Sequence, residues 1–302
     1  MQSRQADDTT NKTGDKPGHV VHAVMAICGG TREVLASVSR WDRAAHIFWL
    51  LGPFILLVER SPADMWLSVI ALSFAGRSIL RREGWWLRVT WVRLAFLFWA
   101  ACLLSALLSP LPAYSVGEAF VWFRFPLFAM AVAFWLGRDK RMINAMLLSI
   151  GLGMVAMCVI LAAEILIVGA NQGRLSWPYG DLVPGNYLAK ACLPAFLVVV
   201  AIATSSNGRT ASWAAIIALI SIVASVMTGE RINFLIRACS SMLAAIAWRP
   251  RLYRVIAIFA VEAIAILTAI ISAPGLVQRF VDQFFQQPPT HGDSPYFRAM
   301  AP

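Results

Sequence analysis

Long uncharged stretches alternate with short polar clusters along most of the chain. Apolar runs occupy residues 44–58, 65–80, 94–111, 119–137, 142–169, 187–204, 210–228, 232–248 and 255–273. A helix satisfies its own backbone groups in lipid, so each run predicts a membrane-crossing helix, about nine at roughly 20 residues each. The first two are the weakest. Residues 44–58 are few and contain Pro53, while 65–80 carries Arg77. That pair crosses as two spans or folds as a short hairpin that does not fully cross, and either way the sidedness of the later spans is unchanged.

The polar intervals give orientation. Lys and Arg concentrate before Ala44, between Arg77 and Arg93, at Arg138–Arg141, at Arg209 and between Arg249 and Arg254, and are sparse in the alternating intervals. The positive-inside rule then places the N terminus in the cytoplasm, with 109–118, 170–186, 229–231 and everything after 273 on the outer face. Three regions follow: a partly disordered cytoplasmic tail (1–43), an all-α polytopic helical bundle (44–273), and the start of a periplasmic loop region (274–302). In the last, Leu276, Phe280, Val281, Phe284 and Phe285 line up as one face of a short interfacial helix. The loop-like ending at Pro302 reads as incomplete. The first 19 residues lack the apolar stretch that a cleavable signal needs.

Composition agrees: 59% of the 302 residues are hydrophobic and 14% charged, with mean hydropathy +0.67. Ordinary soluble domains run near half apolar and a quarter charged, so a soluble enzyme is excluded. A net charge of +10 would usually raise nucleic acid as a partner. Here the basic residues sit between apolar runs, topology accounts for them, and no nucleic-acid partner is expected. The 12 Trp and 17 Phe suit a lipid interface. Cys28, Cys102, Cys158, Cys192 and Cys239 are scattered without a CxxC spacing and are expected to be small core residues, not metal or redox ligands.

Ionisable residues within spans cost on the order of 3 kcal/mol each on insertion scales and need a reason. Arg124, about 8 Å below the outer end of its span at roughly 1.5 Å per residue, joins Lys190, Arg237 and Glu164 in one layer under the loop residues Arg174 and Arg231. Such a layer makes an outward-facing anion site, where Arg forks grip phosphate oxygens in pairs. The plainer alternative is snorkelling to the interface plus ion pairs such as Lys190 with Glu164. Glu262, mid-span in the ninth run, has no obvious partner. Two loop motifs sharpen the anion reading. GRLSWPYGDLVPGN, at 173–186, combines Arg174, Trp177, Tyr179, Asp181 and Asn186 with the turn formers Pro178, Gly180, Pro184 and Gly185. TGERINF, at 228–234, puts Thr228 where it can cap the next helix and Glu230 and Arg231 at that helix's start. A cation there opposes the helix dipole, which makes a phosphate role for Arg231 more credible than a capping role.

With these motifs the sequence resembles the O-antigen ligase and polymerase family over roughly residues 90–302. The likeness is sharpest in GRLSWPYGDLVPGNYLAK and LISIVASVMTGERINFLIRA and extends to VWFRFPLFAMAVAFWL. It implies an inner-membrane glycosyltransferase that moves a polyprenyl-pyrophosphate-linked glycan onto an acceptor sugar at the periplasmic face, without metal or other cofactor. By the same resemblance Arg174 and Arg231 hold the donor pyrophosphate and neutralise charge building on the leaving group. Arg124, Lys190, Arg237, Glu230, Tyr179 and Asn186 are expected in support. The family's catalytic His would lie beyond Pro302, and His291 is not assigned that role. Two other readings remain: a transporter of an anionic solute, with Arg124, Lys190, Glu164 and Arg237 along its path, and a non-catalytic membrane subunit.

Overall fold

A computed structural model of the protein describes residues 18–58, 60–167, 169, 175, 183–205 and 209–228, with isolated positions 236, 239–240, 256, 259–260, 263–264 and 267. Among the described residues the regular structure is helical throughout. The elements are α1 (Gly18–Ser37), α2 (Arg40–Leu50), α3 (Gly52–Val58), α4 (Arg60–Leu80), α5 (Thr90–Leu107), α6 (Pro112–Trp122), α7 (Arg124–Ala131), α8 (Lys140–Ile167), α9 (Val183–Asn186), α10 (Leu193–Ser205) and α11 (Arg209–Met227). A 3₁₀ turn at Trp85–Arg88 and π-helical segments at Val132–Leu136 and Tyr187–Ala191 join them.

Among the described residues four helices are long and apolar enough to cross a membrane: Ser61–Leu80, Thr90–Leu107, Pro112–Leu136 and Lys140–Ile167. Up to six are, if each of two bent pairs counts as one span. The expected runs at 232–248 and 255–273, and the interfacial helix after 273, lie outside the described residues. Two differences concern elements that are described. Residues 18–37, placed in the tail, form helix α1, whose Ile27, Gly30, Thr31, Val34 and Leu35 are its shielded positions, spaced as one helical face. The expected outer loop 109–118 is mostly helix, because Pro112 stands in the first turn of α6, where its missing N–H costs nothing.

Proline sets the breaks. Pro53 has no N–H to offer Trp49, and α2 gives way to α3 at Leu51 with a bend of 48°. Pro126 does the same beside the α6–α7 junction at Phe123. Pro194 follows Cys192, where the chain turns 61° between the residues 184–191 and α10. In lipid a broken helix survives only if neighbours take its freed polar groups. Around the α2–α3 break they do. Phe54 N–H bonds Leu51 O rather than Leu50 O, and the Ser149 hydroxyl of α8 donates to Leu50 O at 2.6 Å. The Trp66 indole of α4 donates to Phe48 O at 2.8 Å, and the Tyr187 hydroxyl donates to Pro53 O at 2.8 Å.

Two apolar cores lie on either side of this strut. One joins Trp49, Trp66, Ile70, Phe74, Met130 and Met142. The other joins Met154, Met157, Leu161, Leu188, Phe196 and Ile222. Helix α8 contributes to both. Contacts Asp64–Arg124, Trp66–Phe128 and Arg77–Trp135 show α4 and the 124–135 segment running parallel. Cysteine burial departs from expectation: Cys192 is buried, Cys102 and Cys158 are half-buried, and Cys28 and Cys239 are exposed.

Gly153 of α8 leaves the room that Tyr187 needs, since a Cβ there would collide with the Tyr187 hydroxyl. Gly153→Ala is expected to lower unfolding stability in detergent by about 1–3 kcal/mol. Adding Tyr187→Phe removes the colliding oxygen, so the double variant should be less destabilised than the sum of the singles. A strictly additive pair in thermal or denaturant unfolding would refute this account.

Candidate functional site

Helix α2 begins with Ser39 at its N-cap, where the Ser39 oxygen accepts from Asp42 N–H at 3.2 Å and the hydroxyl returns a bond to Asp42 Oδ2 at 2.9 Å. That exchange fixes the Asp42 side chain. On Oδ2 it also accepts from Arg81 at 2.8 Å, and on Oδ1 from Arg77 Nε at 3.2 Å and Trp135 Nε1 at 3.0 Å. Four donors fill the acceptor sites of one carboxylate that is only 9% exposed. The Arg77 guanidinium also lies over the Trp135 ring, 5.4 Å from its centroid.

Local structure delivers these partners. Arg77 lies in the last turn of α4 and Arg81, four residues on, in the turn just past its end. The helix closes with Glu83 N–H on Ser78 O and Arg82 N–H on Ile79 O, a paired C-terminal turn that requires Arg82 at φ 53°. The turn carries Glu83 back to Arg77, 2.7 Å away. His46, one turn beyond Asp42, sits with Nδ1 2.6 Å from Asp42 O, and because a carbonyl can only accept, that nitrogen is the donor. Nearby, outside the helices, Asp139 is held below the usual carboxylate range by the Arg141 guanidinium that hydrogen-bonds it. Arg141 also reaches Glu33 of α1 at 3.0 Å.

Asp42, Arg81 and Asp64 appear in none of the quoted sequence motifs, Trp135 lies within VWFRFPLFAMAVAFWL without a role assigned to it, and Arg77 enters only as a blemish on a weak span. The usable signal is the Ser39-x-x-Asp42 pair just before an apolar run and the i, i+4 arginines.

The expected outer-face residues separate. Arg124 bonds Asp64 of α4 at 3.1 Å and lies 5.1 Å from the Phe125 ring centroid. Because its helix starts at Pro112, Arg124 sits midway along a 25-residue span, about 18 Å from that end at roughly 1.5 Å per residue. Lys190, in the π segment, is exposed, and Asn186 is half-buried. Glu164 is 2% exposed, on the α8 face of Met157 and Leu161. Arg174, Arg231, Arg237, Glu230 and Tyr179 lie outside the described residues, as does Glu262.

One bond bears on both loop motifs. Leu175 N–H donates to Met227 O at 3.0 Å, and the Leu175 side chain, 1% exposed, packs into the core with Ala224 and Phe196. Beside it the Thr228 hydroxyl donates to Ser225 O at 2.6 Å. Arg174 is the neighbour of Leu175 in sequence, and Arg231 follows Met227 by four residues. No family model, characterised protein or solved structure matches the chain.

Asp42→Ala would leave two arginines facing each other in a half-buried setting, and is expected to cost about 3–5 kcal/mol in detergent unfolding. Trp135→Phe, which removes one neutral donor, should cost about 1 kcal/mol. Equal losses for the two would contradict the charge hub. The Asp139 brace has its own pH signature. A lowered folded pKa adds stability above the unfolded value and loses it as pH falls through the folded value, so Asp139→Asn should lose stability relative to wild type at neutral pH and converge with it in acid.

Proposed function

We propose that the protein is a membrane glycosyltransferase that transfers or polymerises a polyprenyl-pyrophosphate-linked glycan at the periplasmic face of a bacterial inner membrane. The proposal includes about nine spans and a cytoplasmic N terminus. The observation that carries it is the Leu175–Met227 hydrogen bond. It ties the first arginine-bearing motif to the start of the second at one end of α11. Chain geometry at about 3.8 Å per Cα step then keeps Arg231 within about 15 Å of Met227 at the level of Cα atoms. Two arginines supplied from such tethered segments suit a pyrophosphate, whose charge they would neutralise as the glycosidic bond breaks. A lipid-carried donor also needs an apolar track beside its headgroup. A groove of about 270 Å³ between α8 and α11, lined by Met154, Cys158, Ala162, Ile217 and Ile220, supports that need. Buried Glu164 lies further along the same α8.

A transporter reading has one observation in its favour. Two bent helices meet where Tyr187 bonds Pro53 O, and transporters build substrate paths from helices broken in this way.

Arg174→Ala and Arg231→Ala are each expected to abolish glycan transfer from a lipid-pyrophosphate donor in reconstituted membranes while leaving insertion intact. Full transfer by either variant would defeat the pyrophosphate site. Solute flux into proteoliposomes containing no glycan donor would favour transport instead.

A further inference from the structure

The charge hub at Asp42 divides two spaces. On one side lies a polar cleft of about 910 Å³, bordered by His46, Arg138, Asp139 and Lys140. On the other lies a cavity of about 630 Å³ with apolar walls from Trp41, Ala44, Phe48, Val69 and Leu80. Ser39, Asp42, Arg77, Arg81 and Trp135 border both, so the spaces share one wall. Each falls in the range of about 300–1,000 Å³ typical of ligand sites.

The cations divide by use. Arg77, 19% exposed, is committed to Asp42 and Glu83. Arg81 is 45% exposed and gives Asp42 only one of its terminal nitrogens, which leaves further N–H groups for another anion. Arg138 and Lys140 are exposed, and neither forms an ion pair among the described residues. Asp42 has its acceptor sites filled, and Asp139 is engaged by Arg141. What remains unmatched at the cleft is positive charge, within reach of an apolar cavity at the ends of membrane-spanning helices.

We propose that this pair of spaces binds an anionic glycerophospholipid, with the phosphate held by Arg81, Arg138 and Lys140 and an acyl chain lying in the neighbouring cavity. Arginine donates to phosphate in paired bonds, and lysine adds a point charge. Basic pockets between membrane helices select anionic headgroups in this way. Gly76 lines the cavity, and a Cβ built on it meets nothing within 4 Å, so the cavity is open at the place where a chain would pass. The inference does not depend on glycan transfer, because it uses none of the residues assigned there.

The test uses the purified chain in a neutral detergent, with binding read by native mass spectrometry and by the shift in thermal midpoint. Three probes are compared: phosphatidylglycerol, phosphatidylcholine of the same acyl length, and sodium phosphate. Phosphatidylglycerol should bind and stabilise, phosphatidylcholine should bind roughly tenfold or more weakly, and phosphate alone should give no comparable shift. Arg138→Gln with Lys140→Gln should weaken phosphatidylglycerol by roughly tenfold or more. Both side chains are exposed, so the double variant should keep the wild-type midpoint without lipid. Gly76→Leu fills the cavity and should weaken the lipid while raising helix propensity at that position. Equal binding of the two lipids would overturn the proposal. So would phosphate matching phosphatidylglycerol, which would leave a free-anion site, or wild-type lipid binding in both variants.

Discussion

A helix broken inside an apolar bundle must have its loose carbonyls satisfied by something other than water, and that requirement organises this molecule around the α2–α3 strut. Three carbonyls near the bend accept from a tryptophan on α4, a serine on α8 and a tyrosine on the π segment after α9. Each of these donors comes from a different part of the chain. Bending the strut therefore ties it to its neighbours, because moving any of them would lose a hydrogen bond to one of its carbonyls. Gly52 and Gly153 allow the close approach: the Trp66 ring lies on one and the Tyr187 hydroxyl on the other.

The same strut carries the polar hub at its start. Burying a charge is tolerated only when it is paired and hydrogen-bonded, and Asp42 meets both conditions through Ser39 at the α2 N-cap, Arg77 and Arg81 at the end of α4, and Trp135 of the π segment at 132–136. Arg82 in a left-handed conformation is part of that arrangement, since the turn it makes returns Glu83 to Arg77. The two faces of the hub differ in character. One opens to exposed cations and the other to an apolar cavity, a pairing suited to an amphiphile.

At the other end of α8 and α11 the architecture is tethered by main chain. The Leu175–Met227 bond and the buried Leu175 side chain anchor the chain at that point to the end of α11. Glu164 enters the same core face of α8 as Met157 and Leu161. Arg124, grouped with this end on sequence grounds, is instead held by Asp64 on α4. The two regions occupy different apolar cores, so the bundle has a charged hub on one side and the tethered motifs on the other.

Hydropathy alone determined the helical class and the positions of most of the described apolar runs within a few residues, because these depend on local chemistry, chiefly apolar length. The two arginine motifs were equally visible as words in the sequence. Partnership was not. That Arg124 belongs to Asp64, that Asp42 gathers donors from residues 39, 77, 81 and 135, and that the short run at 44–58 serves as the bent strut all depend on which helices lie side by side. The π segments, the helical start at Pro112 and helix α1 were hidden for a related reason: hydropathy averages over a window, whereas a helix end is set by single bonds. Sequence fixes what each residue can donate, accept or bury. Only the packed bundle decides with which partner it does so, because the cost of an unsatisfied group is incurred only once neighbouring helices exclude every alternative.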